Sequence, residues 1–253
     1  MPPERAPPAG YAPAADLLEN RVILVTGAGD GLGRAAAAAC ARHGATVVLL
    51  GRTVKKLEAV YDTIESAGGA KPAIYPMNLA GATWNDHAEL AASLEREFDR
   101  LDGLVHCAAH FKNFAPLSDL DPRDWVESLQ VNLTAAYTLT RQCLPLLTKS
   151  PDASVVFVSD PSGREPKPFR GAYGVAKAAL EAMASTWAQE LGTYPDLRLN
   201  TYDPGPMRTA LRKRGYSGED VSTVPPPEDA VPGLLWLLGP DSKGRSGRAF
   251  SRA

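Results

Sequence analysis

From residue 20 to about residue 205, short apolar runs alternate with segments of helical periodicity, and few folds accept that order. The strand-like runs are "RVILVTG", "ATVVLLG", "KPAIYPMN", "LDGLVHCAA", "ASVVFVS" and "LRLNTYDPG". Between them lie "GLGRAAAAACARHG", "VKKLEAVYDTIESAGG" and helical patterns over about 85–99, 122–147 and 171–192. The runs are apolar almost throughout rather than at alternate positions, as strands covered on both faces must be. Parallel strands need crossover connections, and these helices supply them. The expectation is an α/β fold: a doubly wound parallel sheet of about seven strands flanked by helices, in one domain over 16–253. Residues 1–15, "MPPERAPPAGYAPAA", offer little to bury and are expected to form a flexible or loosely docked arm.

Composition narrows the range of functions. The 253 residues carry a net charge of −2, with 27 Lys and Arg spread along the chain, so no basic field for nucleic acid is expected. Cys40, Cys107 and Cys143 have no metal-ligand or CxxC spacing and read as buried thiols, with no metal site. No apolar run approaches the roughly 20 residues of a membrane helix. "GLLWLLG" at 233–239 reads as a short packed helix. The first residues lack a signal or transit pattern, so a cytoplasmic location is expected.

The first strand ends in "TGAGDGLG", residues 26–33, and runs directly into a helix. Glycines there let the backbone turn sharply and approach a pyrophosphate, and the helix N-terminus offers unpaired N–H groups. Further on stand "HCAA" at 106–109, "VNLTAAY" at 131–137, "SDPSG" at 159–163, "YGVAK" at 173–177 and "DPGPMRT" at 203–209. In order and spacing these resemble the motifs of the short-chain dehydrogenase/reductase family, and the resemblance covers about residues 20–250. It implies a single-domain Rossmann fold, a nicotinamide cofactor and a small-molecule carbonyl or alcohol substrate, an acyl thioester included. It also implies a homodimer or homotetramer packed through the helices at 122–147 and 171–192.

Carried over residue by residue, the resemblance gives Gly27, Asp30, Gly31, Leu32 and Gly33 to the phosphates. Asn78 and Leu79 fall beside the adenine, Ala108 on the cofactor, and Pro204, Gly205 and Thr209 near the nicotinamide. Tyr173 and Lys177 lie one turn apart on a helix and so share a face. The cation is expected to lower the phenol and to bind the nicotinamide ribose. Asn132 matches the asparagine that holds a relay water. Arg208, Arg212, Lys213 and Arg214 belong either to a solvated lid face or to a site for an anionic or phosphopantetheine-bearing substrate. His106 and His110 read as strand-end histidines outside the chemistry.

Two of these motifs depart from the pattern. Cys107 and Ala109 replace the Asn and Gly of N-A-G, placing a methyl where backbone approaches the cofactor. Asp160 stands thirteen residues before Tyr173, where the family places a serine that donates to the substrate carbonyl. Two unit charges about 4 Å apart repel by about 4 kcal/mol at an effective dielectric of 20, so an ionised Asp160 opposes a developing oxyanion. Three escapes are open: a protonated Asp160; an Asp160 turned away onto Lys177 or Arg164; or a hydroxyl supplied by Ser159 or Ser162. The alternative to an active enzyme is a dinucleotide-binding protein of weak catalysis, acting as sensor or partner subunit.

At the end of the second run, Gly51 occupies the place of an acid that would bind the adenosine ribose hydroxyls, and Arg52 and Thr53 follow. An arginine there forms charge-assisted bonds to a 2′-phosphate. NADP(H) is therefore favoured over NAD(H): NADPH should bind at least about tenfold more tightly, or about 1.4 kcal/mol. Titration of both cofactors, before and after Arg52→Ala, checks this. Equal affinities in the native chain would sink it.

Overall fold

The computed structural model describes residues 3–252. In chain order the strands are β1 (Glu4–Ala6), β2 (Val22–Thr26), β3 (Thr46–Gly51), β4 (Ala73–Pro76), β5 (Gly103–His106), β6 (Ala153–Val158), β7 (Leu197–Asp203) and β8 (Ala249–Arg252). The helices are α1 (Gly31–Arg42), α2 (Val54–Ser66), α3 (Trp84–Phe98), α4 (Pro122–Leu129), α5 (Ala135–Leu147), α6 (Gly171–Glu190), α7 (Ala210–Gly215) and α8 (Val231–Leu238). One sheet runs in the order β1-β8-β7-β6-β5-β2-β3-β4. Each neighbouring pair, from β1 with β8 to β3 with β4, is parallel.

The sheet has eight strands, not seven. The additional one, β1, comes from the expected arm: it pairs with β8 through Glu4↔Phe250, Arg5↔Ser251 and Ala6↔Arg252. Ala6 is fully buried, and Glu4 forms ion pairs with Arg245 at 3.0 Å and Arg248 at 2.7 Å. A three-residue strand held by backbone pairing to an open sheet edge leaves no hydrophobic pattern to read.

Alternation along β2 feeds two cores. Ile23 and Val25 pack with the alanines of α1 and with Leu234, Leu235 and Trp236 of α8. Leu24 faces the other side, among Leu90 of α3, Leu139 of α5 and Leu180 of α6. The alanine run of α1 lets that helix lie close to the sheet. The apolar run near 235 is the buried helix α8, and among the described residues no helix is long and apolar enough to cross a membrane. The amino ends of the strands carry a charge cluster in which Asp152 binds both Arg21 and the buried Arg198.

The expected helix over 122–147 is interrupted. A π turn over Gln130–Thr134 separates α4 from α5, and Asn132 sits inside it. Such turns insert a residue into the helix and re-aim the side chains around it.

His106, the last residue of β5, is buried, stacks on Phe157 at 5.0 Å and has Nε2 at 2.8 Å from Thr140 Oγ1. It is a structural histidine. Burial, aided by the charge of Lys177, pushes it down to about 3. In the unfolded chain the same imidazole takes a proton near pH 6.5. Between those values the unfolded state binds more protons, so the His106 contribution to stability is full above about pH 6.5 and is lost as pH falls toward about 3. Urea unfolding from pH 7 to 5 should therefore lose stability more steeply in the native chain than in His106→Gln, by about 1 kcal/mol per pH unit. Parallel slopes would show that another group carries the acid sensitivity.

Candidate active site

Sheet order reverses at β2. From it the chain winds outward to β3 and β4 on one side, and β5, β6 and β7 continue on the other. Loops leaving the carboxyl ends of the strands part there and leave a crevice. The crevice is a cleft of about 620 Å³, bordered by the glycine turn, by the ends of β3 and β5, and by the segments around Asp160, Tyr173 and Gly205.

Two glycines of the turn are required by shape. A Cβ on Gly27, whose φ is +68°, would lie 2.9 Å from Ala108 Cα, and one on Gly33 would lie 2.3 Å from the Gly27 carbonyl oxygen. Gly31 meets Thr209 from the far loop, since a Cβ there would lie 3.2 Å from Thr209 Cγ2. The cradle and the open start of α1 fit a pyrophosphate. Asp30 caps α1 by accepting from Gly31 N at 2.8 Å. Its bond with Lys56, more than any other contact, holds its carboxyl below the usual range. Lys56, adjacent to Lys55 and easily read as a solvated loop charge, is thus part of the cleft wall.

Leu32, Arg52, Thr53, Asn78, Leu79, Ala108, Ala109, Pro204, Gly205 and Thr209 all border the cleft. No carboxylate stands at position 51, where a Cβ would press on Leu57 at 3.1 Å. Asn78 Oδ1 accepts from Ala80 N at 3.3 Å, and Ala108 N donates to Thr26 Oγ1 at 3.1 Å. The arrangement therefore has a glycine cradle and, on the same cleft wall, the cation Arg52 with no acid at position 51.

At the other end Tyr173 and Lys177 share a face of α6. Lys177 Nζ donates to Val158 O at 2.6 Å and lies 5.5 Å from the Tyr173 ring centroid. Burial pulls the Lys177 ammonium down to about 8, against the opposing charge of Asp160. The Tyr173 phenol is raised, not lowered as the Tyr-Lys spacing suggests. Burial is the main cause, Asp160 adds to it, and Arg170 opposes it. Desolvation of a phenolate outweighs the Arg170 charge, so the phenol is held protonated.

Asn132 binds the backbone of the loop after β5: Oδ1 accepts from His110 N at 3.1 Å, and Nδ2 donates to His110 O at 2.8 Å and Ser128 O at 2.9 Å. A void of about 10 Å³ between Asn132, Lys177, His106 and Thr26 has room for one water. Of the escapes open to Asp160, neither cation takes it. Arg164 pairs with Glu181 and, at 2.9 Å, with Asp203. Asp160 Oδ1 instead accepts from Ser162 N at 2.8 Å and from the Ser162 hydroxyl, capping the short turn at 161–163. Ser162 is buried, and its proton points at Asp160 rather than into the cleft. Gly163 allows this loop onto α6, because a Cβ there would lie 3.0 Å from the Lys177 backbone.

The short motifs miss an aromatic wall. Phe111 stands edge-on to Tyr173 at 5.5 Å and to Phe114 at 5.1 Å, and Phe114 meets Tyr216 of the lid at 5.1 Å. Arg170 lies 4.8 Å over Phe114 and donates to Tyr216 Oη at 2.6 Å. Arg212 lies 4.3 Å over Tyr216 and grips Glu219 with two bonds of 2.6 Å. Gly215 allows α7 onto the wall, since a Cβ would lie 2.9 Å from Phe111. Of the lid cations, Arg212 and Arg214 border the cleft, whereas Arg208 and Lys213 do not. The residue types after β5 were visible, but nothing in their spacing told which would face Tyr173.

Comparison with known proteins agrees with this geometry. The profile of the short chain dehydrogenase family matches residues 21–220. The uncharacterized oxidoreductase YciK of Escherichia coli is 40% identical over 95% of this chain and 94% of its own length. A solved short chain dehydrogenase from Pseudomonas syringae superposes with a TM-score of 0.93 at 46% identity, covering 95% of this chain and 98% of that one. One from Shigella flexneri, solved in complex with NADP, superposes with a TM-score of 0.91 at 39% identity over 94% of this chain and 99% of its own. Fold, cleft and relatives agree, and the chain belongs to the short chain dehydrogenase family as an oxidoreductase.

Proposed function

We propose that this oxidoreductase interconverts a small-molecule carbonyl and an alcohol, with NADP(H) preferred to NAD(H). The observation that carries the reading is the pairing of Tyr173 and Lys177 on one face of α6, inside the cleft that also holds the glycine cradle. The NADP complex of the Shigella flexneri relative supports the cofactor, and Arg52 without an acid at position 51 supports the preference.

In this reading Gly27, Gly31 and Gly33 receive the pyrophosphate, Arg52 and Thr53 the 2′-phosphate, and Lys177 the nicotinamide ribose. Bound NADPH supplies a hydride, with its electron pair, to the carbonyl carbon. As the C=O π pair moves onto oxygen, Tyr173 gives that oxygen its proton. Lys177, charged below about pH 8, offsets the negative charge left on the phenol oxygen. A water held between Lys177 and Asn132 returns the proton. In the alcohol direction every transfer reverses. Asp160, in place of a donor, and a phenol pushed upward by burial favour a second reading, a nicotinamide-binding sensor of little activity.

The chain is further proposed to form a homo-oligomer. Val126 on α4 and Val175 on α6 are 65% and 42% exposed, and Tyr137 on α5 is 40% exposed. A monomer by light scattering at micromolar concentration would refute that.

Tyr173→Phe should lower kcat/KM for carbonyl reduction by about 10²–10⁴-fold while leaving the NADPH dissociation constant within about threefold. Undiminished activity would remove Tyr173 as the acid. If the native chain binds NADPH yet reduces nothing across ketones, aldehydes and acyl thioesters, the sensor reading replaces this one.

A further inference from the structure

Several charges around the reacting position are held by neighbours, Lys177 and Arg170 by neutral groups. Lys177 bonds to the Val158 carbonyl, Arg164 is shared by Glu181 and Asp203, Arg212 is held by Glu219, and Arg170 donates to Tyr216. Asp203 is further bound through Oδ1 by Gly205 N at 2.9 Å. Of Asp160, Asp203, Glu181 and Glu219, Asp160 is the one that keeps an unused carboxylate oxygen, and beside it the Ser159 hydroxyl is buried without a partner. Its Oδ1 takes both bonds from Ser162, whereas Oδ2 has no partner among the described residues and belongs to a side chain that lines the cleft. The loop geometry fixes that division, because the bond from Ser162 N caps the turn at 161–163.

An unpaired acceptor at the wall of a reacting site selects against a bare carbonyl, which offers no proton and gains negative charge as hydride arrives. It selects for a substrate that presents a donor. Charge-assisted hydrogen bonds are worth roughly 1.5–3 kcal/mol, or about one to two decades in kcat/KM. We place that donor on the α-carbon, beside the carbonyl that Tyr173 holds, because Asp160 and Tyr173 line the same cleft. A neutral hydroxyl suits the surroundings better than an ammonium, because Arg170 and Arg212 already lie over the rings of the adjoining wall. Phe111, Phe114 and Tyr216 then offer an apolar surface to the rest of the molecule.

We propose, resting on the carbonyl–alcohol reading above, that Asp160 Oδ2 is a specificity group that binds a substrate hydroxyl adjacent to the reacting carbon. The preferred substrates are α-hydroxy ketones with an apolar body and the corresponding 1,2-diols. What stands at the family's serine position is then a change of substrate class rather than a damaged catalyst.

The test compares 2-hydroxyacetophenone with 2-methoxyacetophenone, which keeps the oxygen but loses the donor, in the NADPH-loaded native enzyme and in Asp160→Asn. The asparagine oxygen can still accept from Ser162, which turns an N–H toward the cleft in place of the acceptor. The native enzyme should prefer the hydroxy ketone in kcat/KM by about tenfold or more, and Asp160→Asn should bring the two within about threefold. Asp160→Ser, which also caps turns, serves if the asparagine variant does not fold. Equal use of both ketones by the native enzyme overturns the proposal, as does a preference that survives the substitution. A stronger preference for 2-aminoacetophenone overturns the choice of hydroxyl. If neither ketone reacts although NADPH binds, the carbonyl reading fails separately. Dissociation constants of the two ketones, from quenching of bound NADPH fluorescence, then decide: a donor preference lost in Asp160→Asn upholds the role of Asp160, and equal affinities end it.

Discussion

Parallel pairing of β2 on both of its edges, with β3 and with β5, is the constraint from which the rest of the molecule follows. Right-handed crossovers leaving a central strand in opposite lateral directions must place helices on both faces and part their loops at the carboxyl ends. The parting creates the cleft. The same pairing sets the glycine turn against the segment after β5, so closely that Gly27 tolerates no side chain beside Ala108. Backbone pressed together in this way sets the start of α1, capped by Asp30, on the wall of the cleft, where a phosphate is the natural partner.

Charge is distributed differently at the two ends of the strands. At the amino ends, Asp152 is gripped by Arg21 and Arg198, and the buried charges there serve to hold elements together. At the carboxyl ends the pairing is incomplete. Arg164 satisfies Glu181 and Asp203 and so ties the loop after β6 to α6 and β7, but it leaves Asp160 to Ser162 alone. A buried or half-buried charge without a counterion is costly unless something else meets it, and an open cleft is the one place where a ligand can do so. The Tyr173 phenol on the same wall is raised chiefly by burial, with Asp160 adding to it.

Much of this was legible from residue order. The alternating runs determined an α/β fold with a parallel sheet, because strands apolar on both faces can be covered only by the helices that connect them. "TGAGDGLG" between a strand and a helix located the cradle, and Tyr173 and Lys177, four apart, shared a face whatever the surroundings, since helical geometry is local. The departures at Asp160, Cys107 and Ala109 were equally plain as letters.

Other features were decided only by the fold, because they depend on which distant groups meet. Strand β1 exists through backbone bonds to β8 and through ion pairs from Glu4 to Arg245 and Arg248, none of which has a local signature. The sign of the Tyr173 shift is set by burial and Asp160 against Arg170, and the Tyr-Lys spacing reports none of these. The aromatic wall joins Phe111 and Phe114 to Tyr216 across the lid, a juxtaposition that no motif encodes. Asp160 is the sharpest case. The sequence by itself determined that a carboxylate stands where a hydroxyl is usual, and the tertiary structure decided which way its charge is spent, because a hydrogen bond is settled by direction and distance, which residue order alone does not set.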